Sequence, residues 1–239
     1  MRIRFAPALA GLILISAAIA PASAATSDFD FANLTFIGNV NAGFLPSDGV
    51  PCTGGDLCSS AVPSVFDGDL NYTIGSITAT ATGTFNAGVA AVVQDHENNY
   101  NKINRIGAGL GVYHIPNDTS DDNITTGEVL TITFDQVVTL SQIDLRSEGH
   151  NVTNWIANAT FLFNGSNTLL PTGTGSISGL NLVGTVFTFG FGGQTPDQFY
   201  LAGMTVAAIP EPGTYAMMLA GLGLMGFVAR RRRARDTAA

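Results

Sequence analysis

Oxygen-donor side chains crowd one short stretch of the chain. Four carboxylates and one amide fall within eleven residues: Asp118, Asp121, Asp122, Asn123 and Glu128. Calcium takes about six to eight oxygen ligands, and a loop between strands could fold around such an ion. The spacing does not match an EF-hand loop, which needs ligands at alternate positions, a central glycine and a final glutamate. The stretch therefore indicates either a loop that holds a structural calcium ion or a solvated acidic turn.

The two cysteines of the chain, Cys52 and Cys58, are separated by five residues. An even number of cysteines in an oxidising compartment predicts a disulfide. A zinc site would need further cysteine or histidine ligands nearby, and a redox pair usually has two intervening residues. We therefore expect a disulfide that closes a small surface loop and contributes about 2 kcal/mol.

The residues that could catalyse a reaction do not form a recognisable motif. His96 and His150 have acidic neighbours in the sequence, but adjacent side chains on a strand point to opposite faces. Residues 175–179 resemble a nucleophile elbow only at the glycines, because Ile177 stands at the nucleophile position. A two-carboxylate hydrolase remains an alternative, since its acids need not be close in sequence. The sequence predicts that the protein is not an enzyme and has no catalytic residues.

The C-terminal region has the order of a membrane-sorting signal. Pro210, Glu211 and Pro212 are followed by an uncharged stretch, residues 214–229, and then by a basic cluster. That cluster is Arg230, Arg231, Arg232 and Arg233, with one further arginine two positions later. A helix of 16 uncharged residues is about 24 Å long, against a hydrocarbon core of about 30 Å. We expect a single, marginally long transmembrane helix with its arginines on the cytoplasmic side.

The N-terminal region predicts export. Arg2 and Arg4 precede an apolar run, which ends at Pro21 and the small residues up to Ala24. This order of charge, apolar run and small residues is typical of a secretory signal peptide, here residues 1–24. Signal peptidase is then expected to cut after Ala24, and residues 25 to about 209 must lie outside the cytoplasm.

The tail resembles the PEP-CTERM sorting tail, also known as an ice-binding-protein C-terminal domain, on the basis of the Pro-Glu-Pro, the helix and the arginines. The resemblance covers about residues 207–235. It implies a Gram-negative, polysaccharide-producing host and processing by an exosortase, a membrane cysteine transpeptidase that cuts near Pro-Glu-Pro. It also implies a precursor held in the inner membrane, facing the periplasm, and later release to the cell surface or extracellular matrix. No regular threonine array at solenoid spacing supports ice binding.

Charge separates the exported body from its two signals. Between residues 25 and 209 there are three Lys or Arg and sixteen Asp or Glu, so the body carries a net charge of −13. Nucleic-acid binding depends on clustered cations, so this balance argues against a nucleic-acid partner. The length of residues 25–206 is sufficient for one domain with its own core.

Alternating apolar residues predict an all-β body. Leu130, Ile132 and Phe134 alternate with threonines, as expected for a strand with one buried face. The apolar phase slips by one residue between Leu140 and Ile143, which predicts a β-bulge. Short strands separated by Gly and Asn favour a β-sandwich or jelly roll, flanked by the N-terminal signal helix and the C-terminal transmembrane helix.

Two classes of function follow from these features. The first is a non-catalytic surface or matrix protein that binds polysaccharide. The second is a secreted hydrolase that acts on glycans. Trp155, Tyr100, Tyr113 and Tyr200 are candidates for a sugar-stacking platform, although a single tryptophan is more often part of a sandwich core.

Overall fold

A computed structural model describes most of the exported body and the tail helix. The described residues are 25–32, 36–37, 40–41, 57–59, 69–95, 108–114, 123–149, 152, 154–209 and 212–236. The signal peptide, Cys52, Asp118, Asp121, Asp122, Pro210 and Glu211 lie outside them.

Thirteen strands precede one helix within these residues. The strands are β1 (Thr26–Asp30), β2 (Phe36–Ile37), β3 (Val40–Asn41), β4 (Leu57–Ser59), β5 (Leu70–Ile74), β6 (Ile77–Phe85), β7 (Gly88–Asp95), β8 (Gly109–Tyr113), β9 (Glu128–Ser147), β10 (Thr160–Phe163), β11 (Ser166–Leu169), β12 (Ser176–Phe191) and β13 (Phe199–Ala208). The helix is α1 (Pro212–Asp236).

The longest strand, β9, is built on the predicted alternation. Leu130, Ile132 and Phe134 are buried, and the threonines between them face the other side. The predicted bulge is confirmed at Ser141: Gln142 pairs with Thr205 of β13 and Leu140 with Val206, so Ser141 is left out of the ladder. A strand of 20 residues follows because the bulge restores the buried phase instead of ending the strand.

Eleven strands form one sheet in the described part of the chain. The order along it is β1-β13-β8-β7-β6-β9-β12-β10-β11, with β4 on β7 and β5 on β6. In addition, β9 pairs with β13, so β13, β8, β7, β6 and β9 close into a hydrogen-bonded ring. Closure gives each of these five strands a partner on both sides, which leaves no unpaired edge in the ring.

The interior is one apolar cluster rich in aromatic rings. Phe134 of β9 makes edge contacts with Phe29 and Phe187, at centroid distances of 5.8 and 6.0 Å. The amide of Gln94 is also buried, but it is satisfied. It accepts a hydrogen bond from the Tyr72 hydroxyl and donates one to the carbonyl of Phe31. Buried polar atoms with partners avoid the desolvation cost of an unmade bond.

The structure confirms the predicted all-β class. The finer prediction of a two-sheet sandwich or jelly roll is not confirmed: eleven of the thirteen described strands belong to one sheet that partly closes on itself, and β2 and β3 pair only with each other. The predicted signal helix lies outside the described residues.

The two ends of the body meet at one place. β1 pairs antiparallel with β13, and Thr26 lies opposite Ala207. Beyond β13 the Ile209 N–H donates to the carbonyl of Val137 at 3.1 Å, and α1 begins three residues later at Pro212. Pro212 suits a first helical position, because proline has no N–H to satisfy there.

Gly109 controls the closure of the ring between β8 and β13. It has φ +121°, and a Cβ there would lie 2.7 Å from the carbonyl carbon of Leu201 and 2.8 Å from the Cα of Ala202. We expect Gly109→Ala to lower the free energy of unfolding by about 1–3 kcal/mol more than Gly75→Ala. Gly75 is a matched control because its φ is also positive, +62°, but nothing lies within 4 Å. Urea denaturation measures both, and equal losses would show that strand approach at Gly109 is not constrained.

Candidate functional site

The described part of the acidic stretch, residues 123–128, lies beside β8 and leads into β9. The Val112 N–H donates to the carbonyl of Asn123 at 3.1 Å, and the Ile124 N–H donates to the carbonyl of Phe199 at 2.8 Å. These bonds place Asn123 and Ile124 between β8 and β13. The chain then turns at residues 125–127 and enters β9 at Glu128.

The carboxylate of Glu128 is buried, with 1% of the residue exposed, and both its oxygens are engaged. Oε1 lies 2.8 Å from Nδ1 of His114, and Oε2 accepts the backbone N–H of Thr125 at 2.7 Å. The Glu128 N–H in turn donates to the carbonyl of Thr125 at 3.0 Å. The reciprocal bonds between Thr125 and Glu128 close a tight turn of the capping type.

His114 is held from two directions. Its ring stacks on Phe85 of β6, with a centroid distance of 3.8 Å and an interplanar angle of 13°. An ionised carboxylate can only accept, so Nδ1 is the donor of the His114–Glu128 bond whenever Glu128 is ionised. A carboxylate fixes the orientation and tautomer of a histidine in this way at metal and acid–base sites. Here it links the end of β8, the start of β9 and the end of β6.

The predicted calcium ligands are only partly within the described residues. Asn123 is buried, and its Nδ2 donates to Oε1 of Gln198 at 2.9 Å. Glu128 is bound to His114 and Thr125 as described above. Asp118, Asp121 and Asp122 lie outside the described residues. Elsewhere in the described ranges no three His, Cys, Asp or Glu residues cluster as metal ligands, and the calcium site stays a prediction.

The histidine–glutamate pair was not found from the sequence. Acids lie next to His96 and His150 in the sequence, whereas His114 and Glu128 are separated by 13 residues. A usable signal was present: each residue lies at an end of a strand-like run, and the two runs are consecutive among the described strands. Such residues come together if the runs end on the same side of a sheet.

Two further sequence predictions meet the structure only in part. Cys58 lies in β4, opposite Gln94 of β7, and Cys52 is outside the described residues, so the disulfide stays a prediction. Tyr200 is buried in β13, which excludes it from the candidate aromatic platform. Trp155 is half-buried against the core, as expected for a single tryptophan.

The tail forms a helix of 25 residues, about 37 Å long. Its described side chains from Met218 to Arg231, and Arg233, are exposed. The large apolar ones are Met218, Leu219, Leu222, Leu224, Met225, Phe227 and Val228. None of the helices in the described ranges is both long and apolar enough to cross a bilayer, so the predicted transmembrane helix is not confirmed.

Removing the Glu128 carboxylate should release the turn and His114 together. We expect Glu128→Ala to lower the free energy of unfolding by about 3 kcal/mol, because two hydrogen bonds to a buried carboxyl group are lost. Glu148→Ala, at an exposed carboxylate of the same chain, should change it by no more than about 0.5 kcal/mol. Urea denaturation compares the two, and equal effects would contradict a structural role for Glu128.

Comparison with known proteins identifies the tail and leaves the body without a relative. No curated protein and no solved structure matches the chain. Residues 208–233 match the family described as the PEP-CTERM protein-sorting motif, in agreement with the predicted tail at 207–235. The C-terminal region of this chain therefore carries a PEP-CTERM protein-sorting motif.

Proposed function

We propose that this chain is an exported surface or matrix protein whose tail is read and cut by an exosortase. The observation that carries the proposal is the sorting motif at residues 208–233, which begins as β13 ends. The motif suggests export and exosortase processing. The last strand of the body thus ends at the first residue of the sorting motif. The next residue, Ile209, still bonds to β9 through its N–H.

The tail holds the precursor in the inner membrane, facing the periplasm, until the cut. Its exposed apolar side chains have no counterpart to bury against in a soluble body, and a bilayer supplies one. The uncharged stretch is about 6 Å shorter than an average hydrocarbon core, which local thinning and snorkelling arginines accommodate. Arg230, Arg231 and Arg233 are exposed at the far end of α1, where cytoplasmic anionic lipids attract them.

The body itself is a non-catalytic module that binds polysaccharide. Support comes from a hydroxyl-rich face on β6, β9 and β12, where Thr80 pairs with Thr133 and Thr82 with Thr131. Thr188 of β12 extends this row beside Thr131. Hydroxyls that both donate and accept suit the hydroxyls of a sugar. The most suggestive acid–base pair, His114 and Glu128, is used to fasten strand ends, which favours binding over hydrolysis.

Replacing Pro210, Glu211 and Pro212 together by alanine should block processing. Pro212 at the start of α1 disfavours helix in the residue before it, and Pro210 has no N–H to donate, so alanines would let α1 extend towards β13. We expect the full-length precursor to accumulate in the membrane fraction of an exosortase-containing host.

Mass spectrometry of the C-terminus measures this outcome. Thr237→Ala is the control, since it lies beyond the matched motif and should leave processing unchanged. Normal removal of the tail from the triple variant would contradict recognition of the Pro-Glu-Pro segment.

Neutralising the basic cluster should weaken retention before the cut. Changing Arg230, Arg231, Arg232 and Arg233 to Gln removes cations that each contribute about 1 kcal/mol at an anionic surface. In a host without exosortase, we expect less precursor in sedimented membranes and more in the periplasm. Lys102→Gln removes one cation from the body and should not change the distribution. An unchanged distribution for the four-site variant would show that the arginines do not hold the tail.

A further inference from the structure

Exposed apolar side chains surround the place where the tail leaves the body. Val137 of β9, Val183 and Val186 of β12, and Ile209 after β13 form what we term the exit patch. Each is between 37% and 62% exposed. Large exposed aliphatic groups that collect at one place on a soluble body indicate a contact surface.

The strand register puts Val137, Val183 and Ile209 together on one face, and Val186 pairs with Thr133, four positions along β9 from Val137. Ile209 donates its N–H to the carbonyl of Val137, so the two lie side by side. One rung further, Ala207, Thr139 and Val183 are directly opposite one another across β13, β9 and β12. Directly opposed residues point to the same side of a sheet, and so do residues two apart on one strand. Val137 and Thr139 therefore share a face with Ile209, Ala207 and Val183.

Both chain ends emerge beside this patch. Thr26 lies opposite Ala207, so the predicted cleavage site after Ala24 is two residues from the same rung. On the other side, only three peptide steps separate Ile209 from the start of α1, which limits their separation to about 11 Å. If leader and tail enter one membrane, this part of the body is held next to it from both sides.

The same face becomes acidic with distance from the patch. Asp28 pairs with Thr205 and Asp30 with Gly203, and Asp144 lies opposite Gly203 on β9. Asp144 accepts hydrogen bonds from Gln142 and from Ser176. Thr205 is two positions from Ala207, and the exposed Asp135 is two positions from Val137, so the nearest acids lie about 7 Å from the patch.

Arg146 follows Asp144 on the same strand. Burial lowers the pKa of its guanidinium, and the charges of Asp30 and Asp144 act in the opposite direction. Arg146 therefore partly offsets the negative charge of Asp30 and Asp144. The four residues of the exit patch carry no charge.

We propose that the exit patch is the surface by which the uncut protein rests on the phospholipid bilayer. This inference rests on the proposed function, in which the tail holds the precursor in that membrane. A body with a net charge of −13 is repelled by anionic headgroups, and the uncharged aliphatic side chains beside the tail are the part of it that gains from approaching them. Valine and isoleucine side chains gain from the apolar part of the interface.

A second copy of the chain is a weaker candidate for the same patch. Stable interfaces bury about 800 Å² on each partner, over roughly 20 residues, and four aliphatic side chains provide a small part of that. A bilayer needs no matching shape. The tail helix that would enter it begins only three residues after Ile209 of the patch.

Tryptophan quenching in vesicles tests the proposal with the full chain. Val183→Trp and Val186→Trp place a probe in the patch, and Val89→Trp places one at a site that is 70% exposed. Val89 is a matched control because it is an exposed strand valine that lies far from the patch. It pairs with Thr84, and Thr84 also pairs with Val129, which is eight positions along β9 from Val137. The vesicles contain phosphatidylethanolamine, phosphatidylglycerol and a phospholipid with a nitroxide on its headgroup. The wild-type chain supplies the background of Trp155.

We expect both patch probes to lose severalfold more emission than the Val89 probe. Equal quenching at the three sites, or no quenching in chain that floats with the vesicles, overturns the inference. The inference is also overturned if the patch probes become less quenched as protein concentration rises and do not respond to lipid concentration. That result assigns the patch to a second copy of the chain. A chain that fails to float with vesicles at all refutes the proposed membrane retention, a result distinct from the others.

Discussion

The backbone ladder between β13 and β9 is the interaction on which the rest of the described structure depends. It joins the last strand to the longest one and closes the ring formed by β13, β8, β7, β6 and β9. It runs from Phe199 opposite Ser147 to Ala208 opposite Val138, with the Ile209–Val137 bond beyond its end. Because the sorting motif begins at residue 208, this ladder also sets the point at which the motif starts.

Local pattern was sufficient to predict the strand segments but not their connection. Leu130, Ile132 and Phe134 are buried as their alternation predicted, and the slip before Ile143 marks a true bulge. The alternation could not show that the strand continues through the bulge for 20 residues, since two short strands give the same pattern. Ring closure and the Thr26–Ala207 pairing join positions that are far apart in sequence, and no local signal encodes such contacts.

The candidate site shows the same division between local and distant information. Counting acids between Asp118 and Glu128 identified a region of unusual composition, and it treated all five side chains as equal ligands. Burial distinguishes one of them: Glu128 is enclosed and bound by His114 and Thr125. Burial of a single carboxylate depends on which strands lie over it, here β6 with Phe85 below the imidazole, and this requires the tertiary fold. The sorting tail could be recognised earlier because its order of residue types is itself the signal.

The antiparallel pairing of β1 with β13 also has a mechanical consequence. Thr26 and Ala207 stand at the same end of that two-strand ladder. A force that pulls these two residues apart opens the ladder like a zipper, so that one hydrogen bond at a time bears the whole load. A force on β13 alone is directed along its ladder with β9, where many bonds share it in shear. Under the proposed function, cutting the amino-terminal tether therefore changes the load on β13 from peeling to shear.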